Sequence, residues 1–138
     1  KVEIKADCVL SQEENEEWDL VFAPGGMPGA TNLASSSLVN SIILDTYKKG
    51  NIVSAICASP AVVFGPLGIL NSGKATCYPG CESYAPGITF LKDGVVVDGN
   101  VVTAKSAGWA FDLGIKLVEM LVDKETAEKV RASIYYKD

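Results

Sequence analysis

The stretch that decides the fold is residues 52–60, which read Ile-Val-Ser-Ala-Ile-Cys-Ala-Ser-Pro. Its first five residues form a short apolar run, which is typical of a buried parallel strand. Pro60 suits the first turn of a helix, where a missing N–H costs nothing. Between them, Cys57 is flanked by small residues. This is the composition of a nucleophile elbow, a sharp strand-to-helix turn that exposes one central side chain.

The alternation of strand and helix extends outward from this stretch. The pattern predicts strands at residues 2–5, 18–23, 52–56, 74–78 and 101–104, and helices at residues 33–49, 59–67, 108–122 and 124–133. Asp93-Gly94 predicts the turn of a hairpin over residues 91–97. The sequence therefore favours the α/β class, with an open, mostly parallel sheet, helices on both faces and an inserted β-hairpin. The length of 138 residues fits one domain, residues 1–138.

Composition excludes several classes of function. The net charge is −5 without a dense Lys/Arg cluster, which disfavours nucleic-acid binding. No apolar run reaches the length of a membrane span. The sequence has no histidine, so a Ser-His-Asp triad, a Cys-His pair and an H-E-x-x-H metal site cannot be assembled within it. We expect no metal and no cofactor, and a reducing, cytoplasmic compartment because no secretory signal is visible and cysteines are few.

Two loops follow buried strands and should meet at the carboxyl edge of the sheet, where open α/β proteins bind ligands. One carries Gly25, Gly26 and Met27, and the other carries Cys57 and Ala58. The free N–H groups at the start of the following helix favour the thiolate form of a cysteine. The backbone N–H groups of both glycines and of Ala58 are candidates to hold an oxyanion, and Met27 is a candidate for the pocket mouth.

The pattern alone leaves two interpretations of Cys57 open, a reactive thiol and a buried structural cysteine. For Cys8, Cys77 and Cys81, inert packing as small buried side chains is favoured. The alternative for Cys77 and Cys81 is a role as resolving thiols for an oxidised Cys57.

A resemblance to a known family adds to this interpretation. Residues 18–33, Trp-Asp-Leu-Val-Phe-Ala-Pro-Gly-Gly-Met-Pro-Gly-Ala-Thr-Asn-Leu, resemble the glycine-loop signature of the ThiJ/PfpI superfamily. Residues 55–60 are similar to the nucleophile motif of its branch that contains the parkinsonism-associated protein deglycase. The resemblance covers essentially the whole chain. It implies a flavodoxin-like, class I glutamine amidotransferase-like sandwich and a homodimer.

The resemblance also implies roles for particular residues. Cys57 corresponds to the oxidisable nucleophile, with Gly25, Gly26 and Ala58 as backbone donors. Tyr78 falls at the position of a lid histidine, and Ser106 falls in a pocket loop at residues 105–108. Related peptidases and amidotransferases use a histidine directly after or beside their cysteine. Ala58 follows it here, so both activities are disfavoured.

Two departures from the family pattern matter. A tyrosine at position 78 can donate a hydrogen bond, but a phenol is a poor base at neutral pH. The family also opens with a β-α-β segment, whose glutamate hydrogen-bonds the cysteine, and no residue of this chain matches that glutamate. We therefore expect an N-terminally incomplete domain and a separate N-terminal peptide of the same protein.

The resemblance implies a cysteine-dependent glyoxalase or protein deglycase. Its substrates would be small reactive carbonyls such as methylglyoxal, or glycated proteins that carry their adducts. The alternative is a non-enzymatic redox sensor or chaperone, in which Cys57 is oxidised to a sulfinate.

Overall fold

The central sheet contains four strands in the computed structural model, which describes residues 2–13, 16–70 and 73–136. The strands are β1 (Leu20–Ala23), β2 (Ile52–Ile56), β3 (Val95–Asp98) and β4 (Val101–Ala104). They lie in the order β1-β2-β4-β3, with β1, β2 and β4 parallel and β3 antiparallel to β4. The expected open, mostly parallel α/β sheet is therefore confirmed.

Helices connect and cover the strands. They are α1 (Gly29–Ala34), α2 (Ser37–Lys48), a π-helical segment (Pro60–Phe64), α3 (Gly65–Leu67), α4 (Ala110–Leu121) and α5 (Lys124–Ser133), with 3-10 turns at Leu10–Gln12, Glu82–Tyr84 and Ala107–Trp109. The long helix expected at residues 33–49 is divided, because Ser36 caps α2 by accepting the Val39 N–H at 3.4 Å. Among the described residues, no helix combines the length and the apolar character that crossing a membrane requires. The single domain over residues 1–138 stays a prediction.

Side chains that alternate along β2 and β4 build a core on each face of the sheet. On one face, Val53 and Ala55 pack in a cluster with Ile43 of α2 and with Phe64. On the other face, residues of β2 and β4 pack against α4; this cluster contains Ile52, Ile56, Val102, Ala104, Leu113 and Leu117. Helices therefore cover both faces, as expected. All five residues of β2 are buried, and β2 lies between β1 and β4 in the sheet.

The strand expected at residues 18–23 forms as β1, but it is less buried than its apolar sequence indicates. Only Ala23 is fully buried, and Phe22 is 45% exposed. An apolar groove of about 340 Å³ runs between β1 and α4. The edge strand expected at residues 2–5 is wrong, since those residues are exposed and irregular. Within the described residues, β1 is thus one of the two edge strands of the sheet, and its exposed side lies beside this groove.

The inserted hairpin exists, but its predicted turn is wrong. The strands β3 and β4 pair from Val95↔Ala104 to Asp98↔Val101, so the turn is Gly99-Asn100, with Gly99 at φ +58°. Gly94 precedes β3 and lies under the Trp109 indole, where an added Cβ would be 2.1 Å from a ring carbon. A glycine needed for close packing therefore resembled a turn signal.

The strand expected at residues 74–78 is also wrong. This segment contributes one isolated bridge, Ala75↔Phe90, and continues as a loop toward Cys57. Beyond this bridge, the Thr76 N–H donates to Thr103 Oγ1 at 3.0 Å and the Tyr78 N–H donates to the Cys57 carbonyl at 2.7 Å.

Candidate functional site

Cys57 occupies the first position after β2 and has φ +66°, which non-glycine residues rarely adopt. Hydrogen bonds on both sides hold this conformation. The Cys57 N–H donates to the Ala104 carbonyl at 2.9 Å, and the Cys57 carbonyl accepts the Tyr78 N–H at 2.7 Å. A backbone held in this region costs on the order of 1–3 kcal/mol, and such strain clusters at functional sites. The geometry is that of an elbow that presents a half-buried thiol.

The backbone of the glycine loop packs closely against the elbow at Gly25. A Cβ on Gly25 would lie 2.5 Å from the Cys57 Cβ, 2.8 Å from the Ile56 carbonyl oxygen and 3.3 Å from Sγ. Only glycine fits at this position. Gly26 follows with φ +89°, and its carbonyl accepts the Ala30 N–H at 2.8 Å at the start of α1. The peptide bond between Met27 and Pro28 is cis. The structure therefore brings Gly25 against Cys57, as the sequence led us to expect.

Ser59 joins the elbow to the glycine loop. Its side chain is fully buried, and its hydroxyl donates to the Pro24 carbonyl at 2.5 Å. Sequence reasoning did not single out this contact. The only signal was a small polar residue two positions after Cys57, and nothing in the sequence states which carbonyl it reaches.

The backbone after Cys57 turns at once into a helix. The Ala58 carbonyl accepts the Val62 N–H at 2.9 Å and the Ala61 N–H at 3.2 Å. The N–H groups of Ala58 and Ser59 thus precede the first hydrogen-bonded turn, where a helix has no internal acceptor for them. The segment Pro60–Phe64 is π-helical, a form that occurs frequently at functional sites. This arrangement supplies backbone donors next to the thiol.

The remaining expected pocket residues lie around the carboxyl edge of the sheet. Met27 and Tyr78 are each about half exposed, at 51% and 49%. Ser106 lies two residues beyond β4, and its carbonyl accepts the Trp109 N–H at 2.9 Å. The adjacent Lys105 donates from its ammonium to the Lys92 carbonyl. Tyr78 contacts the elbow through its backbone N–H, which donates to the Cys57 carbonyl.

The other cysteines have different environments. Cys8 is exposed, so its expected burial is wrong, and a hydrogen bond to Glu13 raises its pKa. Burial raises the pKa of the Cys77 thiol to about 12, with a further contribution from Glu82. Burial also raises the pKa of Cys81, which remains half-buried. In the described part of the chain, no three His, Cys, Asp or Glu side chains are grouped so that they could hold a metal ion.

Together these features define an open-sheet α/β protein with a thiol on a strained elbow beside a glycine loop. The model of the DJ-1/PfpI family matches residues 1–120, and the chain belongs to this family. The resemblance found in the sequence is thereby confirmed.

Individual proteins agree with this assignment. The chain is 35% identical over 130 residues to Protein DJ-1 homolog B of Arabidopsis thaliana, covering 94% of this chain and 30% of that protein. It is 32% identical over 124 residues to the glutathione-independent glyoxalase DJR-1.2 of Caenorhabditis elegans, covering 88% of this chain and 65% of that protein. The solved structure of oxidized Toxoplasma gondii DJ-1 matches with a TM-score of 0.92 and 36% identity, covering 98% of this chain and 73% of that one. The chain thus spans less than two thirds of both curated relatives.

Proposed function

We propose that this protein is a cysteine-dependent enzyme of the glyoxalase or deglycase type, with Cys57 as its nucleophile. Its substrates would be small reactive carbonyls such as methylglyoxal, or proteins that carry their early adducts. The observation that carries the proposal is the elbow itself: φ +66° at Cys57, with the Gly25 backbone packed closely against this residue. The glyoxalase name of the C. elegans relative supports the choice of substrate class.

The proposed reaction begins when the Cys57 thiolate attacks the aldehyde carbon of methylglyoxal. A C–S bond forms, and the carbonyl π electrons move to oxygen. The N–H groups of Gly25, Gly26 and Ala58 would stabilise this oxyanion, which then takes a proton to give a hemithioacetal. The proton on the former aldehyde carbon is removed, and a proton is returned to the neighbouring carbon through an enediol, which leaves a thioester. Water hydrolyses the thioester to lactate and releases Cys57. No external oxidant is needed, because one carbon is oxidised while its neighbour is reduced.

The reaction needs an acid and a base, and we propose that the missing glutamate of the family supplies them. The open edge at β1 supports this proposal. Phe22 is 45% exposed there, and the groove beside it is lined by apolar residues of β1 and α4. A β-α-β segment of the same protein would add strands to this edge and cover the groove. Electrophoresis under denaturing conditions and intact mass of the purified protein test this. We expect a second, smaller peptide from the same protein to co-purify with this chain. Its absence would contradict the proposal of a separate N-terminal peptide.

The proposal extends to assembly and location. We propose a homodimer in a reducing, cytoplasmic compartment, in which Cys57 would remain a thiol between turnovers. Sedimentation of the reduced protein at several concentrations tests the dimer, and a purely monomeric species would contradict it.

The decisive experiment measures lactate formed from methylglyoxal without glutathione, using the protein with any peptide that co-purifies. Cys57→Ala is expected to fall to the uncatalysed background because it removes the nucleophile. Cys8→Ala is the matched control, since Cys8 is exposed and outside the site. It should keep the wild-type rate. Equal rates in the wild type and in Cys57→Ala would exclude the proposed reaction.

A second candidate function is the non-enzymatic redox sensor or chaperone. The absence of histidine favours it, because a strong base beside the thiol is unnecessary for oxidation by peroxide. Peroxide treatment followed by peptide mass spectrometry discriminates the two functions. Selective oxidation at Cys57 in a protein without carbonyl turnover would favour the sensor.

A further inference from the structure

Two segments of the chain bring cysteines to the elbow. Cys57 lies on the elbow, and Cys77 and Cys81 lie on the loop that follows residue 75. The Tyr78 N–H joins the two segments by donating to the Cys57 carbonyl at 2.7 Å. A tight turn then brings the chain back, because the Cys81 N–H donates to the Tyr78 carbonyl at 3.0 Å. Cys81 is therefore held by a turn whose first residue is hydrogen-bonded to Cys57.

Side-chain packing also brings Cys81 to the residues that follow the elbow. Cys81 packs against a cluster formed by Ala30, Ala58 and Val62. Ala58 is the residue directly after Cys57, so Cys81 packs on a cluster that includes the neighbour of the reactive position. Cys81 is half-buried and is therefore more accessible than the buried Cys77.

Cys77 is nearby but differs in burial. It is 3% exposed and packs with Ala61 and Ala85 in a cluster that Cys81 also contacts. Since burial raises its pKa to about 12, Cys77 stays protonated at neutral pH and is a poor nucleophile.

A negative charge on Cys57 contributes to the raised pKa of both Cys77 and Cys81. Burial is the main cause of the raised pKa of Cys81, and repulsion by a Cys57 thiolate is the next. A sulfenic acid on Cys57 would be uncharged, so oxidation of Cys57 removes this repulsion. Cys81 would then ionise more readily at the moment when its thiolate is needed.

We propose that Cys81 is the resolving thiol of Cys57, and that a hydroperoxide converts the pair into a reversible disulfide. The Cys57 thiolate attacks the peroxide O–O bond, gains one oxygen and becomes a sulfenic acid, while the peroxide is reduced to an alcohol or to water. The Cys81 thiolate then attacks the Cys57 sulfur, the S–S bond forms, and the sulfenic oxygen leaves as water after protonation. The disulfide blocks the Cys57 nucleophile and protects it from further oxidation to the sulfinate.

This inference rests on the reactivity of Cys57 in the proposed function, but not on turnover of any carbonyl. The test treats reduced protein with hydrogen peroxide near stoichiometry, blocks free thiols and analyses tryptic peptides without reduction. Cleavage after Lys49, Lys74 and Lys92 places Cys57 in residues 50–74 and both Cys77 and Cys81 in residues 75–92. A Cys8→Ser background avoids disulfides between copies through the exposed thiol.

We expect the two peptides to be linked, with the blocking group on Cys77, and the link to be lost on treatment with dithiothreitol. Cys77→Ser is the matched control and should retain the link. Cys81→Ser should lose the link and accumulate the Cys57 sulfinate several-fold faster. Circular dichroism of each variant confirms that it is folded.

Three results would overturn the proposal. One is an unlinked Cys57 in the wild type, and another is a link that survives in Cys81→Ser. The third is a rate of sulfinate formation that is the same with and without Cys81. Failure of the lactate assay alone would leave the cross-link intact, so the two proposals fail separately.

Discussion

The contact between Gly25 and Cys57 leads to a quantitative prediction for Gly25→Ala. A Cβ there would lie 2.5 Å from the Cys57 Cβ and 2.8 Å from the Ile56 carbonyl oxygen. The optimal separation of two non-bonded carbon atoms is about 3.5–4.0 Å, so the glycine loop and the elbow must separate by roughly 1 Å. Both obstacles are anchored to the buried strand β2, and therefore the glycine loop must move away from the sulfur.

Overpacking of this kind costs about 1–3 kcal/mol. At roughly 4 °C per kcal/mol for a domain of this size, Gly25→Ala should lower the melting temperature by about 4–12 °C. The same movement withdraws backbone donors from Cys57, so its alkylation by iodoacetamide should become slower. Thermal unfolding by circular dichroism measures the first effect, and peptide mass spectrometry over a time course measures the second.

Two other glycines of the same loop act as controls. An added Cβ on Gly29 meets no atom within 4 Å, and the residue begins α1, so Gly29→Ala should change stability by no more than about 1 kcal/mol. Gly26 also has open space but has φ +89°, so Gly26→Ala should cost about 1–2 kcal/mol through the backbone alone. The reasoning is refuted if Gly25→Ala has the same melting temperature as Gly29→Ala and its Cys57 is alkylated at the wild-type rate. The close approach of Gly25 would then not determine the reactivity of Cys57.

Two further predictions concern buried polar groups. Ser59→Ala removes the hydroxyl that donates to the Pro24 carbonyl and should destabilise the fold by about 1–3 kcal/mol, whereas Ser35→Ala, which removes an exposed bond of 2.8 Å, should cost about 0.5 kcal/mol or less. Urea unfolding compares them, and equal losses would contradict a role for Ser59 in joining the loops. For Cys77, the pKa is raised from 9.0 to about 12, so its contribution to stability is fully present below pH 9 and is lost as pH rises toward 12. Relative to Cys77→Ala, the wild type should lose unfolding free energy as pH rises from about 9 to about 11, and a constant difference would refute this.

Local patterns in the sequence predicted the elements that matter most for the site. The strand Ile52–Ile56 and the strand Val101–Ala104 have the bounds that their apolar runs indicated, and so does the helix Lys124–Ser133. These elements agree with prediction because their signals are complete within a few residues. The division of the helix at residues 33–49 was less visible, since it depends on the cap at Ser36.

Signals that depend on distant partners were misread. Asp93-Gly94 has the composition of a hairpin turn, but Gly94 is small because the Trp109 ring packs on it. Residues 74–78 have the composition of a strand, but this segment hydrogen-bonds to the Thr103 side chain and to Cys57. In both cases the deciding contact is made by residues at least fifteen positions away, which a short window cannot include.

The sequence by itself determined the class of fold, the position of one thiol between a strand and a helix, and the absence of any histidine to assist it. Only the tertiary structure decided that Gly25 packs against Cys57, that Ser59 joins the two loops, and that Cys81 packs on the cluster that contains Ala58. The physical reason is the distance along the sequence between the residues that interact. Strand and helix formation follow from neighbouring residues, whereas the surroundings of a sulfur depend on which distant backbones the folded sheet brings to its carboxyl edge.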